Sequence, residues 1–355
     1  MATLILEDGS RFEGTLFGRK EPVTGEVVFS TGMSGYQETL TDPAYCGQIV
    51  CMTYPLIGNV GINDLDFESD GLTVGGLIVS ELCELPSNWQ TKTTLDSYMD
   101  EQGVTGLYGM DTRALTRHLR TAGAMRGRIA CGDAADEDAA ACRAYDMHDQ
   151  VQRVTCKEAY EIEGEGDVTL AVLDLGMQKN FTKWFVQNGC KVRVYPASAS
   201  AQEILCGGCD GVIISAGPGD PHDLPKAAET AAALMEKKPV LGVGLGHLVM
   251  ALSQGCKVEK MRFGHHGSNQ PVKDLARGTC AVTSQAIGYA VAEGGVADGA
   301  AVSHINWNDR TIEGLRYEGK QAFSVQFIPG TTGGAFDTTY LYEDFLNMVR
   351  AGMAK

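Results

Sequence analysis

The segment that most constrains the fold is residues 239–248, which read Pro-Val-Leu-Gly-Val-Gly-Leu-Gly-His-Leu. An apolar strand runs here into a glycine-flanked turn and then into a helix. Elbows of this kind hold a nucleophilic Ser or Cys on a strained turn at the top of a sheet. The position between the flanking Gly242 and Gly246 is Gly244. The sequence therefore predicts a catalytic elbow that carries no nucleophile.

The chain around the elbow alternates strands with helices. Strands are predicted at residues 168–173, 191–195, 211–215 and 239–243, with helices at 180–188 and after Pro225. This alternation predicts an α/β domain with a mainly parallel sheet. In such sheets the functional site lies beyond the carboxyl ends of the strands. We therefore expect the loops at 174–176, 217–220 and 242–246 to converge there.

The first part of the chain has a different pattern, with short β-branched runs broken by Gly, Asp and Pro. It predicts a β-rich domain over residues 1–150 with few helices. One clear helix is expected between Asp111 as its N-cap and Gly123 as its stop. An Ala- and acid-rich peripheral helix is expected from about residue 132 to residue 150. Residues 151–167 are interpreted as a linker and 168–355 as the second domain.

Bulk composition excludes several classes of protein. The 355 residues are 44% hydrophobic and 21% charged, which is typical of a soluble globular chain with two domains. No run approaches the roughly 18–20 apolar residues of a membrane span, and no signal peptide is recognised, so a cytoplasmic location is expected. The formal charge of −16 argues against nucleic-acid binding. The eleven cysteines form no disulfide framework, and the Cys206/Cys209 pair is interpreted as a surface turn.

Sequence motifs in both halves carry a family resemblance. The second half resembles the class I (triad) glutamine amidotransferases at 217–221, 242–248, 263–267, 269–272 and 324–327. The first half resembles the small subunit of carbamoyl-phosphate synthase at 25–29, 35–38, 40–43, 54–59 and 111–117. That first domain is not a general amidotransferase feature. The likeness covers nearly the whole chain and implies a small-subunit N-terminal domain followed by an amidotransferase-like α/β domain.

The resemblance implies a function shared with a partner. In this family the small subunit hydrolyses glutamine, and ammonia travels to a large ATP-dependent subunit that joins it to bicarbonate and phosphate for arginine or pyrimidine biosynthesis. The expected partner is that large subunit, with no nucleic acid or membrane involved. ATP and metal are expected on the large subunit, and no cofactor is expected in this chain.

The catalytic positions implied by the resemblance lack their side chains. The nucleophilic Cys position is Gly244, the His position is Ile328 and the Glu position is Gly330. The glutamine-pocket positions by resemblance are Ala44, Gly217, Gly219, Leu245, Leu248, Ala286, Gly288 and Tyr289. Amide cleavage through an acyl-enzyme needs a nucleophile, a base and a group that orients the base. We therefore expect the chain's own glutaminase to be inactive, and interpret it as a scaffold or regulator of an ammonia-using synthetase.

Other residues could in principle supply the missing chemistry. The candidates are His247, the His265/His266 pair, Cys256, His304 with Asp309, and Asp174 with Lys179. We interpret His247 as part of the scaffold and Cys256 as a core residue. The histidine pair lacks a third ligand at zinc spacing, so no metal site is predicted. Two alternatives stay open: a stand-alone small-ligand-binding pseudoenzyme, and a glutamine-hydrolysing subunit that uses an unrecognised residue.

Overall fold

A computed structural model describes residues 2–132, 136–330 and 336–353, without the side chains of residues 136 and 137. The chain divides into two compact units. The first comprises residues 1–147 with 262–267, and the second comprises 148–261 with 268–355. The short stretch 262–267 thus belongs to the first unit although it lies far along the sequence. The sequence predicted two continuous domains, with boundaries at 150 and 168. That division places residues 262–267 in the second domain, whereas the structure groups them with the first unit.

The first unit contains nine strands and four helices among its described residues. The strands are β1 (Ala2–Leu6), β2 (Arg11–Gly18), β3 (Val23–Ser30), β4 (Ile49–Met52), β5 (Leu56–Ile57), β6 (Gly76–Val79), β7 (Glu81–Leu82), β8 (Thr105–Tyr108) and β9 (Met125–Cys131). The helices are α1 (Tyr36–Thr41), α2 (Leu95–Glu101), α3 (Thr112–Ala122) and α4 (Asp136–Ala144). Seven strands close into a barrel in the order β1-β2-β8-β6-β4-β3-β9, and β5 pairs with β7.

The strands of this barrel follow from their residues. β4 and β6 are buried along their whole length on both faces, and alternate residues, Ile49, Cys51 and Ile78, belong to the main apolar cluster of the unit. β2 alternates exposed and half-buried residues, as a strand with one solvated face does. Helix α3 begins where the Asp111 carboxylate accepts a hydrogen bond from the Ala114 N–H, and ends at Gly123 with φ 112°. The predicted helix is therefore confirmed with its cap and stop.

The second unit holds the remaining helices and strands of the described chain. The strands are β10 (Tyr160–Ile162), β11 (Val168–Asp174), β12 (Cys190–Pro196), β13 (Gly211–Ile214), β14 (Val240–Val243), β15 (Val258–Asp274), β16 (Cys280–Val291), β17 (Ala300–Asn306), β18 (Ile312–Tyr317) and β19 (Ala322–Val325). The helices are α5 (Gln150–Val154), α6 (Lys183–Gln187), α7 (Ala201–Cys206), α8 (Pro225–Met235), α9 (Leu245–Ser253) and α10 (Tyr340–Met353). Strand β15 also includes residues 262–267 of the first unit.

These strands form one sheet in the order β10-β12-β11-β13-β14-β19-β18-β16-β15-β17. The central run from β12 to β19 is parallel, and the rest of the pairings recorded within the second unit are antiparallel. Helices α8 and α9 pack with the apolar cluster on one face of the sheet, whereas α6 and α10 pack with the cluster on the other. The predicted α/β domain, preceded by a β-rich domain, is confirmed, and its sheet is parallel in the five central strands and antiparallel elsewhere.

Two local predictions need correction. The segment 151–167, interpreted as a linker, contains most of α5 and the edge strand β10, which pairs antiparallel with β12. Its polar composition reflects an exposed sheet edge, because an edge strand can carry charged side chains on both faces. The helix expected within 132–150 is shorter than that range, and part of the range, 133–135, lies outside the described residues. None of the described helices combines the length and apolarity needed to cross a membrane.

Candidate functional site

The elbow occurs where β14 ends and α9 begins. Gly244 has φ 57° and ψ −116°, a backbone conformation that non-glycine residues adopt only with strain. Its N–H donates to the Val325 carbonyl oxygen at 2.9 Å, which ties the turn to the neighbouring strand β19. The structure therefore contains the strained turn that the sequence predicted. Its central residue has no side chain.

Sterics explain Gly246, which flanks this turn, and Gly217 in the loop after β13. A Cβ on Gly246 would lie 2.1 Å from the Ile214 carbonyl oxygen, and one on Gly217 would lie 2.1 Å from the Leu175 carbonyl oxygen. Both obstacles are backbone atoms, so neither can move aside easily. Gly244 differs, because its nearest obstacle would be the Ala216 Cβ at 3.0 Å. A side chain at this position would need only a small displacement of its neighbour. Space alone therefore does not account for the missing nucleophile.

The two other positions that the resemblance assigns to the triad lie on the segment that follows β19. Ile328 is half-buried, and its N–H donates to the Ser284 carbonyl oxygen at 3.4 Å. Gly330 is also half-buried and has φ 73°. Together with Gly244, these positions supply no thiol, imidazole or carboxylate. Gly244 thus directly follows β14, whereas Ile328 and Gly330 lie in the segment after β19, and none of the three contains an acid, base or nucleophile.

His247 is the nearest imidazole along the chain to the elbow. It is fully buried in α9, and its Nδ1 lies 2.8 Å from the Ser324 Oγ. The Ser324 Oγ in turn lies 3.0 Å from the Tyr317 hydroxyl. Burial lowers the pKa of His247 to about 3, with a smaller contribution from His304, so the ring is neutral near pH 7. This geometry joins α9 to β18 and β19, as the scaffold interpretation of His247 expects.

His304 belongs to a second polar cluster within the second unit. Its Nδ1 lies 2.9 Å from the Ser303 Oγ and its Nε2 lies 3.2 Å from the Tyr340 hydroxyl, which donates to Asp274 at 2.7 Å. Burial lowers the pKa of His304 to about 4. The cluster borders a cavity of about 290 Å³. Sequence reasoning found His304 but missed Asp274 and Tyr340, because their meeting depends on tertiary structure.

The remaining candidates have structural surroundings. Cys256 is buried and belongs to the apolar cluster with α8 and α9, as predicted. The Asp309 carboxylate accepts a hydrogen bond from the Thr311 N–H within a turn. His265 and His266 are both buried in the first unit, and burial lowers the pKa of His266 to about 4. Among the residues that the structure describes, no three His, Cys, Asp or Glu side chains are grouped as metal ligands would be.

Asp174 fixes the loop that follows β11. Its Oδ1 accepts hydrogen bonds from the Gly176 and Met177 N–H groups at 2.9 and 2.8 Å, and its Oδ2 accepts from the Cys156 N–H at 2.7 Å. Both oxygens of the carboxylate therefore accept hydrogen bonds from backbone N–H groups. Lys179 follows in the same loop. These contacts give Asp174 a structural role in the loop.

Replacing Asp174 with Ala tests this structural interpretation. The change leaves three largely buried N–H donors without their acceptor, so we expect the free energy of unfolding to fall by about 2–4 kcal/mol. Asp174→Asn retains one side-chain oxygen and should destabilise less. Denaturant titration of both variants measures the difference. Equal stability of Asp174→Ala and the unaltered protein would contradict the interpretation.

The positions that the resemblance assigns to the glutamine pocket are mostly apolar residues or glycines. Leu245 and Leu248 are 3% exposed, and a Cβ on Gly288 would have open space around it. The other positions are buried or half-buried: Ala44 in the first unit, and Gly217, Gly219, Ala286 and Tyr289 in the second.

Gln326 was not identified from the sequence as a candidate. It directly follows Val325, whose carbonyl oxygen accepts the hydrogen bond from Gly244. Both polar atoms of its buried side chain have no hydrogen-bond partner in the described chain.

A parallel sheet with a glycine-flanked strand–turn–helix elbow defines the second unit as a class I glutamine amidotransferase domain, and the family model "Glutamine amidotransferase class-I" matches residues 171–348. The model "Carbamoyl-phosphate synthase small chain, CPSase domain" matches residues 4–129. With the full-length relatives described next, these matches show that the chain belongs to the carbamoyl-phosphate synthase small chain family.

Curated relatives match the chain over nearly its whole length. The carbamoyl phosphate synthase small chain of Bacillus caldolyticus is 48% identical over 351 residues, covering 98% of this chain and 96% of the relative. The pyrimidine-specific small chain of Bacillus subtilis is 47% identical, covering 98% and 95%. The small chain of Syntrophotalea carbinolica is 44% identical, covering 98% and 97%. Family membership therefore extends across both units.

Proposed function

We propose that this chain is a carbamoyl-phosphate synthase small subunit without glutaminase activity of its own. It acts as a scaffold or regulator of a large, ATP-dependent subunit that uses free ammonia for pyrimidine or arginine biosynthesis. ATP and metal belong to that large subunit in this proposal. The observation that carries the proposal is Gly244, which occupies the strained elbow with no side chain.

The chemistry of amide cleavage supports the loss of activity. A nucleophile must attack the side-chain carbonyl of glutamine, and a base must accept its proton. Gly244 and Ile328 can do neither, and Gly330 offers no carboxylate to orient a base. Removing a catalytic triad lowers turnover by on the order of a million-fold in a serine protease. Backbone N–H groups at the elbow could still polarise a carbonyl, but polarisation without attack leaves only residual catalysis.

The nearby side chains offer no substitute for the triad. His247 has no exposed surface, and its Nδ1 is engaged with Ser324. Cys256 is 4% exposed, so it is shielded from any substrate in solution. His304 is 3% exposed, and its two ring nitrogens contact the hydroxyl groups of Ser303 and Tyr340. These surroundings favour an inactive subunit over a glutaminase with an unrecognised nucleophile.

The choice of nitrogen donor tests the proposal. In a complex reconstituted with the large subunit of the same organism, we expect ammonium to support carbamoyl-phosphate formation. Glutamine should give no product above the level of the large subunit alone. The triad-bearing small chain of a glutamine-using synthase, assayed with its own large subunit, provides the positive control. Glutamate release by the purified chain in step with carbamoyl-phosphate formation would contradict the proposal.

Gln326 favours a second candidate function, the stand-alone small-ligand-binding protein. The side-chain amide of Gln326 is buried, with an unpaired donor and an unpaired acceptor in the described chain. The backbone carbonyl oxygen of the same residue would lie 3.8 Å from a Cβ on Gly244. Buried amides are usually hydrogen-bonded, so a bound polar molecule would satisfy it. Thermal stabilisation of the isolated chain by a small amide or carboxylate other than glutamine, abolished in Gln326→Leu, would favour this function.

A further inference from the structure

One region of the first unit, between residues 33 and 89, carries an unusual share of exposed apolar side chains. Twelve large hydrophobic residues are exposed in the described chain, and six of them fall between residues 33 and 89. We name these six the apolar face: Met33, Tyr54, Leu56, Leu65, Leu85 and Trp89. Met33 is 77% exposed and Trp89 is 89% exposed. Clustered apolar surface, with Met and aromatic residues in particular, marks protein interaction sites.

Hydrogen bonds connect the segments that form the apolar face. Strand β5, which contains Leu56, pairs with β7, and the Cys83 N–H donates to the Ile57 carbonyl oxygen at 2.8 Å. The loop with Leu85 and Trp89 is attached to the segment after β5, because the Ser87 N–H donates to the Asn59 carbonyl oxygen at 3.2 Å. These contacts join the segments that carry Leu56, Leu85 and Trp89. Met33 lines the same cavity as Tyr54 and Leu56, and Leu65 precedes Asp66, which also lines it.

A cavity of about 170 Å³ opens within the apolar face. Met33, Tyr54 and Leu56 contribute to its walls, and Glu38 and Asp66 also line it. The cavity thus combines apolar walls with carboxylates. This combination matches a lysine or arginine side chain, whose aliphatic stem packs on apolar surface while its charged head meets a carboxylate.

The electrostatics at Glu38 support a cationic occupant. Burial raises the pKa of Glu38, and the charged groups that raise it further, Asp66 and Glu68, are both acidic. The Asp66 Oδ2 accepts a hydrogen bond from the Asn63 side chain at 2.7 Å, which holds that carboxylate in place. A positive charge entering the cavity would therefore relieve repulsion between partly desolvated carboxylates.

We propose that the apolar face is the docking surface for the large subunit, and that an arginine or lysine of that subunit enters the cavity beside Glu38. This inference rests on the proposed function, since the large subunit is the partner named there. The exposed Tyr54 ring at the cavity wall would add a cation–π contact to the same group. Trp89 supplies the large apolar anchor typical of interface hot spots.

The test measures the dissociation constant of the full-length chain with the large subunit of the same organism. We expect Glu38→Gln to weaken binding by about 30-fold and to reduce its salt dependence, because a partly buried charge pair is lost. Trp89→Ala should weaken binding by about 10-fold or more. The matched controls are Glu101→Gln and Trp307→Ala, an exposed glutamate and a part-exposed tryptophan elsewhere, and both should stay within about twofold. Circular dichroism verifies that each variant is folded.

The outcomes separate this inference from the function on which it rests. If the unaltered chain forms no complex with the large subunit, the proposed function and the docking surface both fail. If it binds and the Glu38 and Trp89 variants bind equally well, the docking surface is wrong and the proposed function stands. If the chain self-associates and Trp89→Ala abolishes that association without affecting large-subunit binding, the occupant is a second copy, and the proposal is overturned.

Discussion

Replacing Gly246 with Ala is expected to lower the free energy of unfolding by more than about 3 kcal/mol. The new Cβ would lie 2.1 Å from the Ile214 carbonyl oxygen and 2.8 Å from that of Ser215. These backbone atoms belong to the end of β13 and the residue after it, so the helix α9 would have to move away from the sheet. Thermal unfolding measures the effect, and a midpoint about 6 °C lower or more is expected.

Gly288→Ala is the matched control for this prediction. Gly288 lies in β16, and a Cβ there would meet no atom within 4 Å. We expect its unfolding midpoint to stay close to that of the unaltered protein. A Gly246→Ala variant as stable as Gly288→Ala would show that α9 does not pack as closely against β13 as the structure indicates.

Acidification below pH 6.5 is expected to destabilise the fold steeply. Burial lowers the pKa of His247 to about 3 and those of His266 and His304 to about 4, from an ordinary value of 6.5. Between these pKa values the unfolded chain binds protons that the folded chain does not. The free energy of unfolding that the neutral histidines contribute is therefore complete above pH 6.5 and is lost as the pH falls toward 4. Each such proton changes the free energy of unfolding by about 1.4 kcal/mol per pH unit, so three give roughly 4 kcal/mol per unit.

Urea unfolding at a series of pH values measures this slope. His266→Phe keeps a ring that can pack against Tyr45 and removes one titrating group, so its slope between pH 6 and 5 should be shallower by about one proton. His222→Gln serves as the comparison variant, because it replaces a histidine whose side chain is 50% exposed. A stability that does not change between pH 6.5 and 5 would contradict the buried, neutral state of these histidines.

Much of the fold could be predicted because local sequence and tertiary structure agree. Strands such as β13 and β14 are continuous apolar runs, which indicate a parallel sheet covered on both faces. The cap at Asp111 and the stop at Gly123 each act within one turn of helix, so α3 could be located from the sequence. The family resemblance added the N-terminal domain, and the comparisons confirm it.

The remaining features depend on contacts that no local pattern records. The stretch 262–267 belongs to the first unit although its neighbours in sequence belong to the second. The polar residues of β10 resemble a linker because only their pairing with β12 makes them a strand. The surroundings of His247 could be interpreted only in general terms, since its contact with Ser324 joins residues 77 positions apart. The unpaired amide of Gln326 likewise emerges only from the packed structure.

The turn at Gly244 also bears on protein engineering. Its dihedral angles are held by the ends of β14 and β19 and by the first turn of α9, and none of these depends on a reactive group. A thiol, a hydroxyl or a synthetic nucleophile introduced there would lie at the N-terminus of α9, on a backbone turn that already exists. Substitution at this single position could therefore introduce covalent chemistry into a fold that already has the required backbone turn.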